Sequence, residues 1–340
     1  RILVQSLILG LGAYLAVDHQ VGAGLVFAGS VLLGRALAPI DLIIGSWKGF
    51  IAARSQYARL NAILASQQAQ PERMSLPAPK GDVQVENLTV AAPGSNIAII
   101  KNISFSVPAG CVVGIIGPSA AGKSTLARAL LGIWAPLQGV MRLDGADISA
   151  WDKHELGPHI GYLPQDIELF EGSVSDNIAR FTRVDSEKVI LAATTAGVHD
   201  MILLLPDGYD TVIGGDGVVL SGGQRQRIGL ARALYGSPRL IILDEPNSNL
   251  DEVGDRALIA ALHRIRLSGA TLFVITHRTN IVSQLDRLMV MSNGGLSLFG
   301  PRELVLTELN AQQAPKQAMQ AETNMASVAN GKDGFDEQHD

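Results

Sequence analysis

The chain has 340 residues, of which 47% are hydrophobic and 17% charged, and its formal net charge is -5. At roughly 150 residues per domain this length allows about two folded units. The charged share lies well below the roughly 25% of typical soluble domains, which indicates that part of the chain contacts lipid. The negative charge argues against a basic nucleic-acid-binding protein, and one cysteine excludes a disulfide framework or a CxxC metal site.

Two apolar stretches open the chain, residues 2–17 and 21–44, separated by the polar run Asp18, His19 and Gln20. This pattern predicts two transmembrane helices joined by a tight turn. Basic residues at 35, 48, 54 and 59 outnumber the single acidic Asp41, so the positive-inside rule predicts a cytoplasmic end for the second helix and an external turn. Arg35 lies within the second stretch, where it could line a transport path or extend its charge toward the cytoplasmic membrane surface.

The beginning of the chain allows other interpretations. A secretory signal peptide with Arg1 as its basic region is the alternative for the first stretch, but a second long apolar segment follows it directly and there is no persuasive cleavage site. The first residue is Arg rather than Met, which favours a fragment whose upstream part is missing.

The rest of the chain divides by composition. Residues 47–64 have an amphipathic pattern that predicts a cytoplasmic continuation of the second helix. We expect residues 1–64 to be part of a transmembrane domain, 65–80 a linker, 81–310 an α/β domain and 311–340 a disordered tail. In the third segment, the β-branched runs at 83–85, 111–116, 240–243 and 271–275 alternate with helical segments, which is typical of a parallel sheet. Cys111 lies in one of these runs and is predicted to pack in the core.

A phosphate-loop motif follows the second of these strands. Residues 117–124 read GPSAAGKS, which matches G-x-x-x-x-G-K-[ST], and a helix is predicted to follow through Leu131. The backbone N–H groups of such a loop converge on phosphate oxygens, Lys123 reaches the β and γ phosphates, and the Ser124 hydroxyl can bind Mg²⁺. Alone, this motif predicts only an NTPase.

An apolar strand, LIILDE at 240–245, ends in two carboxylates. Asp244 can hold Mg²⁺ through water, and Glu245 can polarise the attacking water. Taken alone, the pattern fits a strand ending in solvated acids equally well. The phosphate loop upstream favours the catalytic interpretation.

The segment LSGGQ at 220–224 precedes a predicted helix, RQRIGLARALY, and makes a second anion-binding helix start. With the two motifs on either side of it, LSGGQ resembles the signature of ATP-binding cassette (ABC) proteins. That resemblance implies an α/β P-loop ATPase fold, preceded here by transmembrane α-helices. It also implies a homodimer in which each signature loop faces the phosphate loop of the other subunit.

Three further motifs match this family. Gln165 in YLPQD resembles the Gln loop that touches Mg²⁺, the segment SNLD with Asp251 resembles the D-loop, and His277 resembles the switch histidine that contacts the γ phosphate. The resemblance implies catalytic roles for Lys123, Gln165, Glu245 and His277, and metal binding by Ser124, Gln165 and Asp244. The implied ATP-binding residues are Gly117, Pro118, Ser119, Ala120, Ala121, Gly122, Lys123, Ser124 and Thr125, with Ser221, Gly222, Gly223, Gln224 and Asp251.

Within the family, several segments resemble the permease/ATPase of type I protein secretion, in the subgroup that exports proteases. They include GLGAYLAV, LLGRALAPI, ELGPHIGYLPQDIELFEGSVSDNIARF and DEPNSNLD. The segment TVIGGDG also resembles exporters, with Asp216 where Glu is commoner. This resemblance implies a multi-pass protein of the bacterial inner membrane with a cytoplasmic ATPase domain. It further implies a periplasmic adaptor, an outer-membrane channel and an exported protein as partners, with contact to membrane lipid and none to nucleic acid.

The sequence departs from the family at the adenine site. Many cassettes stack adenine on an aromatic residue, but Ala92 occupies the matching position and no aromatic lies between Leu88 and Ile100. Either stacking is weaker, or an aliphatic neighbour such as Ile97 or Ile99 replaces it. Two rival functions remain: an exporter of lipids or small molecules, and a soluble cassette ATPase of DNA repair or translation, against which the apolar stretches argue.

Overall fold

The computed structural model describes residues 2–66, 75–214 and 217–311. The chain separates into two compact units, Arg1–Glu72 and Arg73–Asp340. Part of the predicted linker at 65–80, nearly all of the predicted tail at 311–340, and Asp216 lie outside the described residues. The proposed domain limits therefore stay predictions.

The first unit consists of two helices, α1 (Ile2–Val17) and α2 (Ala23–Ser66). Because α2 continues to Ser66, the amphipathic segment at 47–64 is helical as predicted. Large apolar side chains such as Leu3, Leu42 and Ile44 are exposed along both helices. Within the described residues, only Ala23–Ala65 is long and apolar enough to cross a membrane by length and composition. Helix α1 has 16 residues, fewer than the roughly 20 that a membrane-spanning helix needs. The predicted membrane crossing by α1 therefore stays a prediction.

The second unit is an α/β domain. Its strands are β1 (Val83–Ala91), β2 (Ala98–Val107), β3 (Val112–Ile116), β4 (Gln138–Leu143), β5 (Ala146–Asp147), β6 (Ile160–Leu163), β7 (Gly172–Ser173), β8 (Val212–Ile213), β9 (Leu240–Asp244), β10 (Thr271–Ile275), β11 (Arg287–Ser292) and β12 (Gly295–Pro301). Its helices are α3 (Lys123–Leu130), α4 (Lys153–Leu156), α5 (Val174–Ile178), α6 (Ser186–Ala196), α7 (His199–Leu203), α8 (Gly222–Leu234), α9 (Glu252–Leu267), α10 (Thr279–Val282) and α11 (302–311).

The central sheet has six strands in the order β12-β11-β3-β10-β9-β6, and all neighbours are parallel except β12 with β11. Every residue of β9 and β10 is buried, which explains why both read as continuous apolar runs. The predicted parallel sheet is confirmed for β3, β9 and β10.

The prediction is wrong for the run at 83–85. It forms the start of β1, which belongs to a second sheet in the order β2-β1-β4-β5 and pairs antiparallel with both neighbours. Along β1 buried positions are interrupted by exposed ones, as expected for a sheet with one face on the core. One of two clusters of buried residues joins the two sheets and includes Val85 of β1, Leu126 of α3 and Phe273 of β10. Cys111 is half-buried and packs against this core, and its burial raises the pKa of its thiol.

The order of the central strands decides where the predicted motifs meet. β10 lies between β3 and β9, with Ile275 paired to Ile115 on one side and to Asp244 on the other. Because the carboxyl ends of parallel strands share one edge of the sheet, the segments after Ile116, Asp244 and Ile275 leave the sheet side by side. The fold thereby brings the phosphate loop, Glu245 and His277 to one edge.

Candidate functional site

The phosphate loop is shaped by residues in left-handed backbone conformations. Gly117, Ala120 and Gly122 have φ angles of +153°, +62° and +91°. A side chain on Gly117 would place its Cβ 2.3 Å from the Met291 carbonyl oxygen, and one on Gly122 would place it 2.8 Å from Ile100. Both glycines are therefore required by conformation and by space. The loop leads into α3, where Gly122 is the N-cap residue.

Lys123 and Ser124 are the first two residues of α3, directly after the Gly122 N-cap. Lys123 is only 7% exposed, and its Nζ donates to the carbonyl oxygens of Gly117 and Pro118 at 2.8 and 2.9 Å. The ammonium group is thus held inside the curve of the loop. The predicted loop residues from Gly117 to Thr125 are contiguous there. They combine a buried positive charge with a helix N-terminus, which favours an anion.

Asp244 lies at the end of β9, next to Ser124. Its side chain is buried, and its Oδ1 has no hydrogen-bond partner among the described residues. Burial raises the pKa of this carboxyl, while a hydrogen bond from Ser124 lowers it. A buried carboxylate oxygen without a partner costs free energy that a cation would offset. The donor set of a hydroxyl and a carboxylate also suits Mg²⁺, which prefers oxygen ligands.

Glu245 is contacted by two of the three other side chains predicted to be catalytic. Gln165 Nε2 donates to its Oε2 at 3.3 Å, and His277 Nε2 lies 3.4 Å from its Oε1. These residues come from the segments that follow β6, β9 and β10. The structure therefore brings Gln165, Glu245 and His277 together, as the motif assignment requires.

The backbone of Glu245 is held in a strained conformation. Its φ angle of +49° lies in the left-handed region that few residues other than glycine adopt. Its N–H donates to the Ile275 carbonyl at 3.0 Å, and its carbonyl accepts from Gln226 Nε2 at 3.1 Å. Strain of this kind persists where the surroundings fix it and is common at active sites.

Gln226 is a residue of this site that lies outside the sequence motifs. It is 2% exposed, and besides Glu245 it binds Ser248 Oγ at 3.4 Å and the Asn249 N–H at 3.0 Å. It therefore connects the helix after LSGGQ with the segments that carry Glu245 and Asp251. The feature that could have indicated its role is a polar residue at a buried position of helix α8.

The signature residues form the predicted helix start. Ser221 is the N-cap of α8: its Oγ accepts from the Gln224 N–H at 3.2 Å, and Gln224 Oε1 accepts from the Ser221 N–H at 2.8 Å. Gly222 and Gly223 occupy the first two helical positions, whose N–H groups have no partner within a helix. In this capping box the Gln224 side chain stabilises the helix start.

Within residues 75–214 and 217–311, no hydrogen bond or ion pair joins the signature residues to the phosphate loop. Asp251 likewise bonds locally, as the N-cap of α9 that accepts from the Gly254 N–H at 2.8 Å. One chain therefore assembles Gly117–Thr125, Asp244, Glu245, Gln165 and His277. Among the described residues, neither Ser221–Gln224 nor Asp251 has a hydrogen bond or ion pair to this group.

Two aliphatic side chains of β2, Ile99 and Ile100, lie beside Gly122 of the phosphate loop. Ile97 is 80% exposed, and the Ile99 Cγ2 would lie 3.5 Å from a Cβ added at Gly122. Ala92 directly follows the last residue of β1, where the chain turns toward β2.

The family model described as ABC transporter matches residues 100–248, which include the phosphate loop, Gln165, the signature and both carboxylates. The chain contains an ABC transporter domain. The fold prediction of an ABC nucleotide-binding domain is thereby confirmed.

Curated relatives extend the similarity to the N-terminal helices. The type I secretion system ATP-binding protein PrsD of Rhizobium meliloti (strain 1021) is 46% identical over 319 residues, covering 93% of this chain and 55% of the relative. The alpha-hemolysin translocation ATP-binding protein HlyB of Escherichia coli is 34% identical, covering 90% of this chain and 43% of the relative. The chain thus spans about half the length of these relatives. The resemblance to the ATP-binding proteins of type I secretion is confirmed.

A solved structure has the same architecture. The structure described as a bacterial Atm1-family ABC exporter with ATP bound matches with a TM-score of 0.73 and 28% sequence identity. The match covers 93% of this chain and 56% of that one. The likeness therefore includes residues before the ATPase domain as well as the domain itself.

Proposed function

We propose that this chain supplies the ATPase and part of the membrane domain of an inner-membrane exporter for type I protein secretion. The observation that carries the proposal is the meeting of the phosphate loop, Asp244, Glu245, Gln165 and His277 at one sheet edge. The similarity to PrsD, whose name describes an ATP-binding protein of type I secretion, supports the choice of process.

ATP is the nucleotide we assign to the site. The loop N–H groups and the α3 N-terminus would bind its phosphates, and the Lys123 ammonium would neutralise charge on the β and γ phosphates. Ser124 and Asp244, with Gln165, would hold Mg²⁺, for which the unpartnered Asp244 oxygen provides a fitting ligand. A bound Mg²⁺ would supply charge neutralisation on the phosphates.

For hydrolysis, we assign Glu245 as the general base. Its carboxylate would accept a proton from the attacking water while the water oxygen forms a bond to the γ phosphorus and the bond to the β-phosphate oxygen breaks. His277 lies 3.4 Å from the carboxylate and would orient both Glu245 and the γ phosphate. Gln165 would position the same carboxylate through its 3.3 Å hydrogen bond.

The bonding of the two anion-binding helix starts supports a homodimer. Because Ser221–Gln224 and Asp251 make no hydrogen bond or ion pair with the phosphate loop of their own chain among the described residues, we assign them to the ATP bound by a second copy. Each dimer would then contain two composite sites, and ATP would draw the two domains together.

We further propose that the protein lies in the bacterial inner membrane with its ATPase domain in the cytoplasm. The candidate span in α2 supports this location. A periplasmic adaptor and an outer-membrane channel would complete the export path, and the substrate would be an exported protein. An exporter of lipids or small molecules is the second candidate, because the solved structure that matches the chain is described only as an ABC exporter, with no cargo named.

A secretion assay tests the proposal. In cells whose own copy carries Lys123→Ala, we expect one or a few proteins to disappear from the culture medium while membrane lipid composition stays unchanged. Glu252→Gln, an exposed change on α9, is the control that should secrete normally. An unchanged medium with altered lipids would contradict protein secretion and favour the second candidate.

The aliphatic edge of the nucleotide site leads to a prediction about base selectivity. Stacking on an aromatic side chain contributes about 1–3 kcal/mol per base in nucleic-acid sites, and no aromatic lies between Leu88 and Ile100 to supply it. We therefore expect kcat/KM for GTP within about tenfold of that for ATP. Ala92→Tyr should raise the preference for ATP, whereas Ala92→Leu, its control, should not. A strong ATP preference in the unmodified protein would refute this prediction.

A further inference from the structure

An ion pair connects the segment that carries His277 to helix α9. Arg278 Nη1 lies 2.5 Å from Asp255 Oδ2. The Asp255 side chain is 16% exposed, and its Oδ1 is buried without a hydrogen-bond partner among the described residues. Arg278 therefore neutralises a largely buried carboxylate, and removal of either partner leaves a poorly compensated charge or a free guanidinium.

His277 itself lies between two fixed points of the backbone. The Thr276 N–H donates to the Ile115 carbonyl at 3.3 Å, and the Arg278 N–H donates to Thr276 Oγ1 at 3.1 Å. The first bond ties the segment to β3, and the ion pair ties its other side to α9. The position of the half-exposed imidazole thus depends on where α9 begins.

The start of α9 is the segment that carries Asp251. Asp251 is the N-cap residue, and its carbonyl accepts from the Asp255 N–H at 2.8 Å. Asp255 therefore lies one helical turn after Asp251, on the same rigid piece of backbone. A displacement of the Asp251 turn would move Asp255, and through it Arg278 and His277.

We propose that the Arg278–Asp255 ion pair is a positioning device that aligns His277 with the Asp251 turn. The proposal rests on the proposed function, in which Asp251 faces the second subunit and His277 faces the γ phosphate. Contact of the second subunit with the Asp251 turn then sets the position of His277 against Glu245. Neither Arg278 nor Asp255 has a hydrogen bond or ion pair to the phosphate loop among the described residues, so we expect both to act on turnover and not on ATP binding.

A double-mutant cycle tests this role in the purified full protein. Arg278→Gln and Asp255→Asn should each lower kcat for ATP hydrolysis about tenfold, with KM changed less than about twofold, because the phosphate loop is untouched. The double variant should lose about the same tenfold and not a hundredfold, since both changes break one interaction. Arg278→Lys, which keeps the charge, should recover part of the loss.

A matched control comes from the other end of the same helix. Arg266, in the last turn of α9, pairs with Asp286 at 2.6 Å. Arg266→Gln breaks a comparable ion pair and should leave kcat within about twofold of wild type, even where it lowers the melting temperature. If it reduces kcat as Arg278→Gln does, the proposed role is wrong and the pair only stabilises the fold.

Other outcomes also overturn the proposal: multiplicative losses in the cycle, a KM that rises as kcat falls, or unchanged kcat in both single variants. Should Arg278→Gln not fold, Asp255→Asn alone decides the question, since an unchanged kcat, or a KM that rises as kcat falls, again contradicts the proposal. A wild-type protein without ATP turnover contradicts the proposed function itself. Wild-type turnover with unaffected variants contradicts only the ion pair's role.

Discussion

Glu245→Gln should slow ATP hydrolysis by about a hundredfold or more while ATP still binds, because the amide cannot accept the proton of the attacking water. The substitution keeps the size of the side chain. It also keeps an oxygen that can accept from Gln165, whose Nε2 lies 3.3 Å from Oε2 of Glu245. The φ angle of +49° at this position is equally demanding for Glu and Gln, so we expect little change in the free energy of unfolding.

The measurement compares single-turnover hydrolysis with nucleotide binding in the same preparation. Glu252→Gln is the matched control, since it makes the same chemical change on an exposed position seven residues along the chain. We expect the control to hydrolyse ATP at the wild-type rate. Near-normal hydrolysis by Glu245→Gln would mean that another group activates the water, and the catalytic assignment of Glu245 would fail.

The parts of the site that sequence predicts are those defined by local spacing. The phosphate loop, the paired carboxylates after β9 and the Ser221 helix start each depend on a few consecutive residues. Glycine at 117 and 122 and serine at 221 directly determine the local backbone. The motif order then allows His277 and Gln165 to be selected from residues that would otherwise be ordinary surface groups.

The parts that sequence did not predict depend on contacts between distant segments. Gln226 becomes part of the site only because α8 packs beside the turn after β9, where its amide reaches Glu245 and Asn249. Arg278 and Asp255 are 23 residues apart, and neither lies in a motif. The apolar run at 83–85 has the composition of a central strand. Its membership of the antiparallel sheet is decided by its pairing with β2 and β4.

Mixing two inactive variants should restore an intact ATP site if the signature of one chain completes the phosphate loop of another. Lys123→Ala removes the buried ammonium that binds phosphate. Ser221→Arg destroys the cap of α8 and adds bulk at its N-terminus. Each homodimer should be inactive, since both of its sites carry the lesion. In a heterodimer both lesions fall on the same composite site, which leaves the second site chemically complete.

This design distinguishes a composite site from one formed within a single chain. We expect co-expressed, differently tagged variants to yield heterodimers that occlude ATP at one site, where either homodimer occludes none. The tags allow the heterodimer to be purified, and wild type carrying both tags gives the reference of two sites. If the signature served its own chain, each chain of the mixture would still carry one lesion and no site would recover.

Crosslinking tests the same arrangement by measuring whether the phosphate loop of one subunit lies near the signature of the other. With Cys111 replaced, cysteines at Ser119 in the phosphate loop and at Val219, which is 92% exposed just before the signature, mark the two helix starts. In the Glu245→Gln background, ATP should increase crosslinks between subunits through a short bifunctional reagent, because slow hydrolysis keeps the dimer closed. Cysteines at Ser119 and Leu267, an exposed residue at the end of α9, are the control pair and should not respond to ATP. Crosslinks confined to one chain, or insensitive to ATP, would refute the head-to-tail dimer, since closure must bring Ser119 of one subunit toward the signature of the other.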